Sequence, residues 1–288
     1  MARPPLFPGA PGGRSRVRSW PASVRAWGRR GLAGAVSLLA TYLGGCVVAL
    51  GIYASVFPPV TAVQLQRRVE ALVSGSPAGQ TYVPVPLSRI DPDLPLAVVA
   101  GEDSRFFLHS GIDWTEVENA LRTYWQGGEL RGASSISQQL VKNLFLTTHR
   151  TIVRKALEVP LTYAAELLLS KRRILELYVN VIEWGPGVFG VEAATHYHYG
   201  TSARHLTEAQ AAALAACIPA PLDRHPETVG RYRHVIRERM DVLGTLPLSL
   251  SPASRRPLPP ARPLHAGHVP GAEETSPRTP SSFVTSSP

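Results

Sequence analysis

The sequence predicts a mainly α-helical domain that is carried by one transmembrane helix. Three observations lead to this prediction. A long stretch without charged residues lies near the N-terminus, apolar residues recur with helical spacing from Asp93 to about Gly244, and the excess of positive charge lies outside that region. With 288 residues, the chain is long enough for one or two domains with a sizeable core.

The stretch without charges runs from Arg30 to Arg67, and its apolar part, residues 31–57, is predicted to form a transmembrane helix. About 20 apolar residues suffice to cross the hydrocarbon core of a bilayer. A buried core helix rarely runs this long without a polar face, and the apolar region of a signal peptide is shorter. Residues 1–30 contain seven arginines and no acidic residue, so this basic tail is predicted to stay in the cytoplasm and the bulk of the chain to lie outside.

The charge of the chain is concentrated near its ends. The net charge is +9 at pH 7, but residues 31–244 contain 19 basic and 19 acidic residues. The middle of the chain is therefore not a basic surface for nucleic acid, and no nucleic-acid partner is expected. The two cysteines exclude a disulfide scaffold, and Cys46 in the apolar stretch is not expected to pair with the distant Cys217.

Residues 58–90 are predicted to form a stalk, with a helix over Gln64–Val73 and a β-prone segment from Thr81 to Val85. The predicted helical domain covers residues 91–244, and its first helix is expected to start at Asp93. Apolar spacing predicts its further helices at 115–125, 136–145, 151–169, 171–181, 207–217 and 231–243. Residues 245–288 contain ten prolines and few large apolar groups, so they are predicted to be a disordered tail.

The first candidate site is the segment Glu102-Asp-Ser-Arg-Phe-Phe-Leu-His109-Ser-Gly111. Two adjacent carboxylates end an apolar helix and precede two phenylalanines. Apolar surroundings raise the pKa of a carboxyl group, which suits a general acid or base. The alternative is a solvated helix C-terminus, although an acidic side chain there opposes the helix dipole.

The second candidate site is the segment Gly132-Ala-Ser-Ser-Ile-Ser-Gln-Gln-Leu-Val-Lys142-Asn143. Small hydroxyl residues and two amides open a helix that carries a lysine one turn later. Free backbone N–H groups, hydroxyls and an ammonium together bind anionic oxygens well. Helix capping alone explains the two serines, but it does not explain Gln138, Gln139 and Lys142.

Two further clusters contain closely spaced charges. Arg154 and Glu158 are four residues apart, so they face the same side of a helix. The alternative is an exposed ion pair, which stabilises a helix by only about 0.3–0.5 kcal/mol. In the segment Lys171–Asn180, the apolar spacing favours a structural role for most residues.

The use of lysine is also informative. Only three of the 30 basic residues are lysines, namely Lys142, Lys155 and Lys171, and they lie within 30 residues of one another. Arginine presents a planar fork, whereas lysine is a compact point charge on a flexible stem. The pattern therefore indicates sites that need a point charge, such as a phosphate clamp, although three residues can also cluster by coincidence.

In this order, the four clusters resemble the motifs of the family 51 peptidoglycan glycosyltransferases, and most of all the monofunctional members of Gram-negative bacteria. The family patterns E-D-x-x-F-x-x-H-x-G, G-x-S-[ST]-I-x-Q-Q-x-x-K-N, R-K-x-x-E and K-x-x-I-L-E-x-Y-x-N match residues 102–111, 132–143, 154–158 and 171–180. A fifth stretch, residues 183–194, resembles the segment that follows the fourth motif in the monofunctional members. The resemblance covers about residues 60–244.

The resemblance implies a lysozyme-like, mainly helical fold with a small membrane-proximal jaw lobe, in an enzyme that polymerises lipid II. Glu102 would be the general base, and Glu158 would assist the departing pyrophosphate. Glu158 would do so directly or through a divalent cation, Mg²⁺ or Mn²⁺, for which it is the candidate ligand; no organic cofactor is expected. The other implied substrate-binding residues are Asp103, which would support Glu102, and Ser134, Gln138, Gln139, Lys142, Arg150, Arg154 and Lys155.

The implied partners are lipid II, the growing lipid-linked glycan, the membrane, and other proteins of cell wall synthesis and division. The implied location is the bacterial inner membrane, with a single span, a cytoplasmic N-terminus and a periplasmic catalytic domain. One alternative is a muramidase or lytic transglycosylase, but a glycosidase needs two carboxylates and no cationic clamp. The other is an inactive, anchored scaffold that recruits enzymes of wall synthesis.

Overall fold

The computed structural model describes residues 22–76, 79–128 and 134–247. Parts of four predicted features lie outside these residues. They are most of the basic tail (1–21), two residues of the predicted stalk (77–78), the start of the second cluster (Gly132 and Ala133), and the predicted tail from residue 248 onward.

The described chain begins with the long helix α1 (Ala22–Tyr53). Its segment Arg30–Tyr53 is long and apolar enough to cross a membrane, with a mean hydropathy of 2.0, which confirms the predicted apolar helix. Most of its large apolar side chains are exposed, so α1 is not a core helix of the domain. The helix ends before the predicted position, Phe57, because Phe57 precedes a proline and such residues disfavour the helical conformation.

The C-terminal half of α1 packs against the rest of the fold. Leu50 is buried, and the hydroxyl of Tyr42 donates a hydrogen bond to the carbonyl of Phe145. At the end of α1, Nε of Arg173 donates to the carbonyl of Tyr53 over 2.8 Å. Helix α1 is therefore attached to the domain along part of its length as well as through the chain.

Residues 58–90, predicted to be a stalk, contribute to the domain itself. Helix α2 (Ala62–Ser74) starts at Thr61, whose side chain forms a capping box with Gln64. Strand β1 (Thr81–Tyr82) then pairs with a later strand, and a 3-10 helix follows at Leu87–Arg89. The core includes Val85, Leu87 and Ile90, so this segment is packed rather than a free connector.

Eight helices form most of the remaining fold. They are α3 (Asp93–Glu102), α4 (Trp114–Trp125), α5 (Ile136–Phe145), α6 (Ile152–Leu168), α7 (Lys171–Val181), α8 (Val191–Tyr199), α9 (Glu208–Cys217) and α10 (Gly230–Leu243). The prediction of a mainly helical fold is confirmed, and seven of these helices lie where the spacing of apolar residues places them. Helix α8 was not predicted.

A small sheet pairs the segment before α3 with the segment between α7 and α8. Strand β3 (Val188–Phe189) lies in the middle, parallel to β1 and antiparallel to β2 (Glu183–Gly185). Gly187, between β2 and β3, has a φ of 70°, and a Cβ there would lie 2.6 Å from the carbonyl oxygen of Gly79. Glycine is therefore required at this position for two reasons, the backbone conformation and the close approach of another backbone segment.

The core lies between α3, α5, α7 and α9, and it holds the end of α3 in a fixed position. Helix α9 is buried from Ala211 to Cys217, and α3 buries Ala97 to Ala100 against it. Small side chains on both helices allow this close packing. Cys46 and Cys217 are both buried and free, as predicted from their positions in the sequence.

Candidate active site

The candidate base, Glu102, is the last residue of α3, and the fold leaves it partly accessible. Its Oε2 accepts a hydrogen bond from Nε2 of Gln139 on α5 over 2.7 Å. The amide oxygen of Gln139 in turn accepts a hydrogen bond from the hydroxyl of the fully buried Tyr178 over 2.9 Å. This chain of contacts fixes which end of the Gln139 amide faces Glu102, and so orients the carboxylate.

Burial raises the pKa of Glu102 above its ordinary value. The hydrogen bond from Gln139 and the positive charge of Lys142 oppose this shift, while the negative charge of Asp103 adds to it. A carboxyl group whose pKa is raised toward neutrality is a better proton acceptor than an ordinary surface glutamate.

The second carboxylate, Glu158 on α6, lies in a different environment. It is only 2% exposed, and each of its oxygens contacts a cation. Oε1 contacts Nη1 of Arg154, and Oε2 lies 2.8 Å from Nζ of Lys155. Their spacings of three and four residues place both cations over the same face of the helix. Lys155 also donates to Oγ of Ser134 over 3.0 Å, which joins the third cluster to the second.

Lys142 on α5 lies within electrostatic reach of both carboxylates. The charges of Glu158 and Glu102 each raise its pKa, but burial outweighs them, and its pKa lies below the ordinary value. Among the described residues, none forms an ion pair with its ammonium group. The Lys142 ammonium therefore remains available to an anion that enters between Glu102 and Glu158.

The start of α5 combines structural and accessible groups. Ser135 caps the helix and forms a capping box with Gln138, whose side-chain oxygen accepts the Ser135 N–H over 3.1 Å. Gln138 was predicted to be a substrate-binding residue. It is only 4% exposed, and its side chain completes the cap of α5. Ser134 and Gln139, in contrast, contact Lys155 and Glu102 directly.

Asp103 supports the site indirectly. Its carboxylate lies 3.0 Å from Nε2 of His109, and it accepts the backbone N–H of Ile136 over 3.1 Å. No hydrogen bond joins it to Glu102 among the described residues. Asp103 thus ties the loop after α3 to the first turn of α5, where a negative charge is favourable for the helix dipole.

Two of the predicted cations lie apart from Glu102 and Glu158. Arg150 is exposed immediately before the N-cap of α6, and no described residue forms an ion pair with it. Lys171 pairs with Glu166 over 2.7 Å, and its ammonium lies 4.3 Å from the centre of the Phe106 ring. Of the three lysines, Lys142 and Lys155 belong to the cleft, whereas Lys171 binds helix α7 to α6.

The residues at Glu158 do not fit a divalent cation. Magnesium and manganese take several oxygen ligands, including carboxylates. Both oxygens of Glu158 already contact cationic nitrogens, and Lys142 adds a third positive charge nearby. A metal ion at this position would have to displace the protein's own cations.

A second group of potential metal ligands also contacts other groups of the protein. The ligand atoms of Asp103, His109 and Asp113 lie within 4.8 Å of one another. However, Asp113 pairs with Arg105 over 2.8 Å and caps the N-terminus of α4. No step of the reaction is therefore assigned to a metal at either position.

Three residues near Glu102 were not predicted as site residues. Tyr178 lies on α7, Arg224 lies in the segment before α10, and Tyr232 lies on α10. The fourth motif contains Tyr178, so the sequence offered a signal for that residue. Arg224 and Tyr232 lie near Glu102 only because α10 and the segment before it pack against α3.

The helical fold, an apolar helix long enough to cross a membrane, and a carboxylate of raised pKa near unpaired positive charge point to a class of protein. They are typical of a transferase that acts on a substrate with an anionic leaving group.

The comparisons with known proteins identify the family. The sequence model of the transglycosylase family matches residues 69–245. The biosynthetic peptidoglycan transglycosylase of Chromohalobacter salexigens is 44% identical over 198 residues, which cover 69% of this chain and 85% of that protein. The proteins of the same name from Pseudomonas putida strain W619 and Pseudomonas fluorescens strain Pf0-1 are 42% and 41% identical, over 75% of this chain and 94% and 92% of theirs. The chain belongs to the transglycosylase family.

Proposed function

We propose that this peptidoglycan glycosyltransferase of cell wall synthesis polymerises lipid II, with Glu102 as the general base and the cations around Glu158 as the binding site of the leaving pyrophosphate. The observation that carries the proposal is the position of Lys142. Lys142 follows Gln139, which binds Glu102, by three residues on the same face of α5, and its charge interacts with both carboxylates. An acceptor hydroxyl at Glu102 and a diphosphate at the cations can therefore be neighbours.

The reaction is an inverting displacement at an anomeric carbon. Glu102 takes the proton of the GlcNAc 4-hydroxyl of the acceptor lipid II. The freed oxygen forms a bond to C1 of the MurNAc at the reducing end of the growing chain. The C1–O bond to undecaprenyl pyrophosphate breaks, its electron pair leaves with the diphosphate, and the configuration changes from α to β.

The environment of Glu102 supports its role as the base. It is accessible, its pKa is raised by burial, and the Gln139 amide holds one of its oxygens. A base with a pKa nearer to neutrality contributes about 10²- to 10⁴-fold to a proton transfer. Asp103 supports the role by fixing the loop that follows Glu102, through His109 and Ile136.

The cations around Glu158 support its role at the leaving group. Negative charge grows on the diphosphate as the C1–O bond breaks, so preorganised cations stabilise the transition state more than the ground state. Glu158 holds Arg154 and Lys155 in place, and Ser134 fixes Lys155 from the other side. Arg150 is an exposed cation one residue before the cap of α6, and it can contact the outer part of the diphosphate or its lipid.

The arrangement of α1 supports a membrane anchor in the bacterial inner membrane, with the N-terminus in the cytoplasm and the catalytic domain in the periplasm. The basic residues precede the apolar segment, as the positive-inside rule requires. Tyr42 lies 11 residues before the end of α1, which at about 1.5 Å per residue is about 16 Å along the helix. Because Tyr42 contacts Phe145, the end of α5 lies close to the membrane, where a lipid-linked substrate is confined.

The test gives detergent-solubilised protein labelled lipid II and, separately, finished glycan strands. We expect a moenomycin-sensitive polymer from lipid II with the wild type, and none with Glu102→Gln. Glu118→Gln is the matched control, because Glu118 is an exposed glutamate on α4 that pairs only with Arg122. Product from finished glycan alone would identify a glycan-cleaving enzyme, and a wild type without product in either assay would indicate a scaffold.

A further inference from the structure

We propose that the C-terminal helix α10, with the segment before it, is a positioning element for the catalytic base. Tyr232 and Arg239 hold the end of α3 that carries Glu102, and Arg224 packs against the ring of Tyr232. The inference rests on the proposed role of Glu102 and adds residues outside the four sequence clusters.

The end of α3 has backbone carbonyls that its own helix cannot satisfy. The last four carbonyl groups of a helix have no N–H partner within the helix, and they carry partial negative charge. Two of them receive donors from α10. The hydroxyl of Tyr232 donates to the carbonyl of Gly101 over 3.0 Å, and Nη1 of Arg239 donates to the carbonyl of Ala100 over 3.1 Å.

Packing holds α10 close to this end of α3. A Cβ at Gly101 would lie 3.2 Å from Cδ1 of the buried Ile236, so a side chain there would require a small shift of Ile236. The approach brings Tyr232 and Arg239 within hydrogen-bonding distance of α3. The residue that precedes Glu102 is therefore small for a local structural reason.

Arg224 adds charge to this arrangement. Its guanidinium donates to the carbonyl of Ala216 over 3.0 Å and lies 5.6 Å from the centre of the Tyr232 ring. From this position its charge lowers the pKa of Glu102, against the effect of burial. Burial raises the pKa of Tyr232, and the negative charge of Glu102 adds to this shift. The Tyr232 hydroxyl bonds to the carbonyl of Gly101, the residue before Glu102.

Glu102 is therefore supported from two sides. Gln139 and Lys142 reach it from α5, and the α10 group reaches it from the end of the chain. The charged and titratable groups that interact with Glu102 are Asp103 in the following loop, Lys142 on α5, Tyr178 on α7, Arg224 before α10 and Tyr232 on α10, while Arg239 lies at the Ala100 carbonyl. Of these, Arg224 can be neutralised without touching the proposed diphosphate site.

The test measures kcat/KM for lipid II as a function of pH, because its acidic limb reports the ionisation of the free base. Removing a nearby positive charge makes a carboxylate harder to ionise, so the limb of Arg224→Gln moves to higher pH, by about 0.5 pH unit or more. Tyr232→Phe removes one hydroxyl and keeps the ring. It lowers kcat about 3- to 10-fold and moves the limb in the same direction by a smaller amount.

Two control variants make the same chemical changes elsewhere. Arg237→Gln removes an exposed arginine of α10 that pairs with Glu208. Tyr199→Phe removes a partly buried hydroxyl that donates to the carbonyl of Gln210, away from α3. Neither control is expected to move the acidic limb. A shift in either test variant that is absent from its control supports the proposal, and the Tyr232→Phe variant decides the matter alone if Arg224→Gln does not fold.

Acidic limbs that coincide with the wild type in both test variants overturn the proposal, even where activity falls, because a purely structural role lowers the rate at every pH. Glu102→Gln separates this failure from that of the proposed function. If Glu102→Gln is inactive and the limbs do not move, only the role of α10 is wrong. If Glu102→Gln is active, the assignment of the base itself is wrong.

Discussion

The two carboxylates of the cleft differ in what surrounds them. Glu158 is 2% exposed, and each of its oxygens contacts a cation. Glu102 is more accessible, its direct hydrogen-bond donor is the neutral amide of Gln139, and burial raises its pKa. The charge of Glu158 is compensated within the protein, whereas the charge of Glu102 is compensated only in part.

This difference assigns different tasks to chemically identical side chains. A carboxylate that contacts two cations serves to position them. A carboxylate whose ionised form is disfavoured by burial keeps a high affinity for a proton and can act as a base. The comparison predicts that removing either charge lowers activity, but that only the removal of the Glu158 charge lowers stability.

The largest effect on activity is expected from Glu102→Gln. The variant loses the proton acceptor, so the rate falls by about 10²-fold or more, while the amide still accepts the hydrogen bond from Gln139. Its raised pKa means that the ionised form of Glu102 destabilises the fold above that pKa, so stability at neutral pH is unchanged or higher in the variant. Polymer formation and thermal unfolding, measured side by side, check both expectations. A variant that keeps more than a tenth of the wild-type rate would show that another group is the base.

Glu158→Gln is expected to reduce both activity and stability. It leaves Arg154 and Lys155 without their common anion, so they repel each other and no longer hold fixed positions. We expect the rate to fall about 10- to 100-fold and the free energy of unfolding to fall by about 2 kcal/mol. The measurements are the polymerisation rate and urea unfolding at neutral pH. If Glu158→Gln is as stable as Glu102→Gln, the contrast between the two carboxylates does not hold.

Lys155→Arg is expected to have a smaller effect, although it conserves the charge. The ammonium of Lys155 contacts both Glu158 and Ser134, and a planar guanidinium cannot keep both contacts in the same geometry. We expect kcat to fall about 5-fold, with little change in stability. Arg122→Lys on α4, which changes an exposed pair with Glu118, is the control and should leave the rate unchanged. Wild-type kinetics in Lys155→Arg would show that this position does not require a point charge.

Much of the fold could be predicted from the sequence because its helices are long and their apolar residues are regularly spaced. Helix α7 begins and ends where the spacing places it, at Lys171 and Val181. Helix α8 was missed because it is short and because the residue before it is Gly190. Glycine has no side chain to cap the helix, so the sequence carries no capping signal there. The sheet was missed, apart from the β-prone Thr81, because its two- and three-residue strands depend on pairing between distant segments.

The site could be predicted in part, for similar reasons. The contacts of Glu158 follow from helical spacing alone, so the sequence contained them. Ser135 and Gln138 also carry the spacing of a capping box, which is a local signal that would have identified Gln138 as structural. The contact of Tyr232 with Gly101 joins residues 131 positions apart, and no local pattern contains it.

The smallest effect is expected from Lys142→Arg, and it concerns the shape of the pH profile more than the rate. Burial lowers the pKa of Lys142, and the neighbouring Arg154 and Lys155 lower it further. As the pH rises, the ammonium therefore loses its proton earlier than an ordinary lysine, and the diphosphate loses a binding partner. The activity of the wild type should accordingly fall on the alkaline side before an ordinary lysine would titrate.

An arginine at position 142 stays charged throughout this range. Lys142→Arg should lower kcat/KM at neutral pH only about 2- to 3-fold, because the charge is kept and the geometry is altered. Its alkaline limb should move to higher pH, whereas the limb of Lys155→Arg should remain where the wild type has it, since Lys142 is intact in that variant. An alkaline limb that is the same in wild type and Lys142→Arg would show that another group titrates there. The unpaired ammonium between the two carboxylates would then not be the cation on which binding of the leaving group depends.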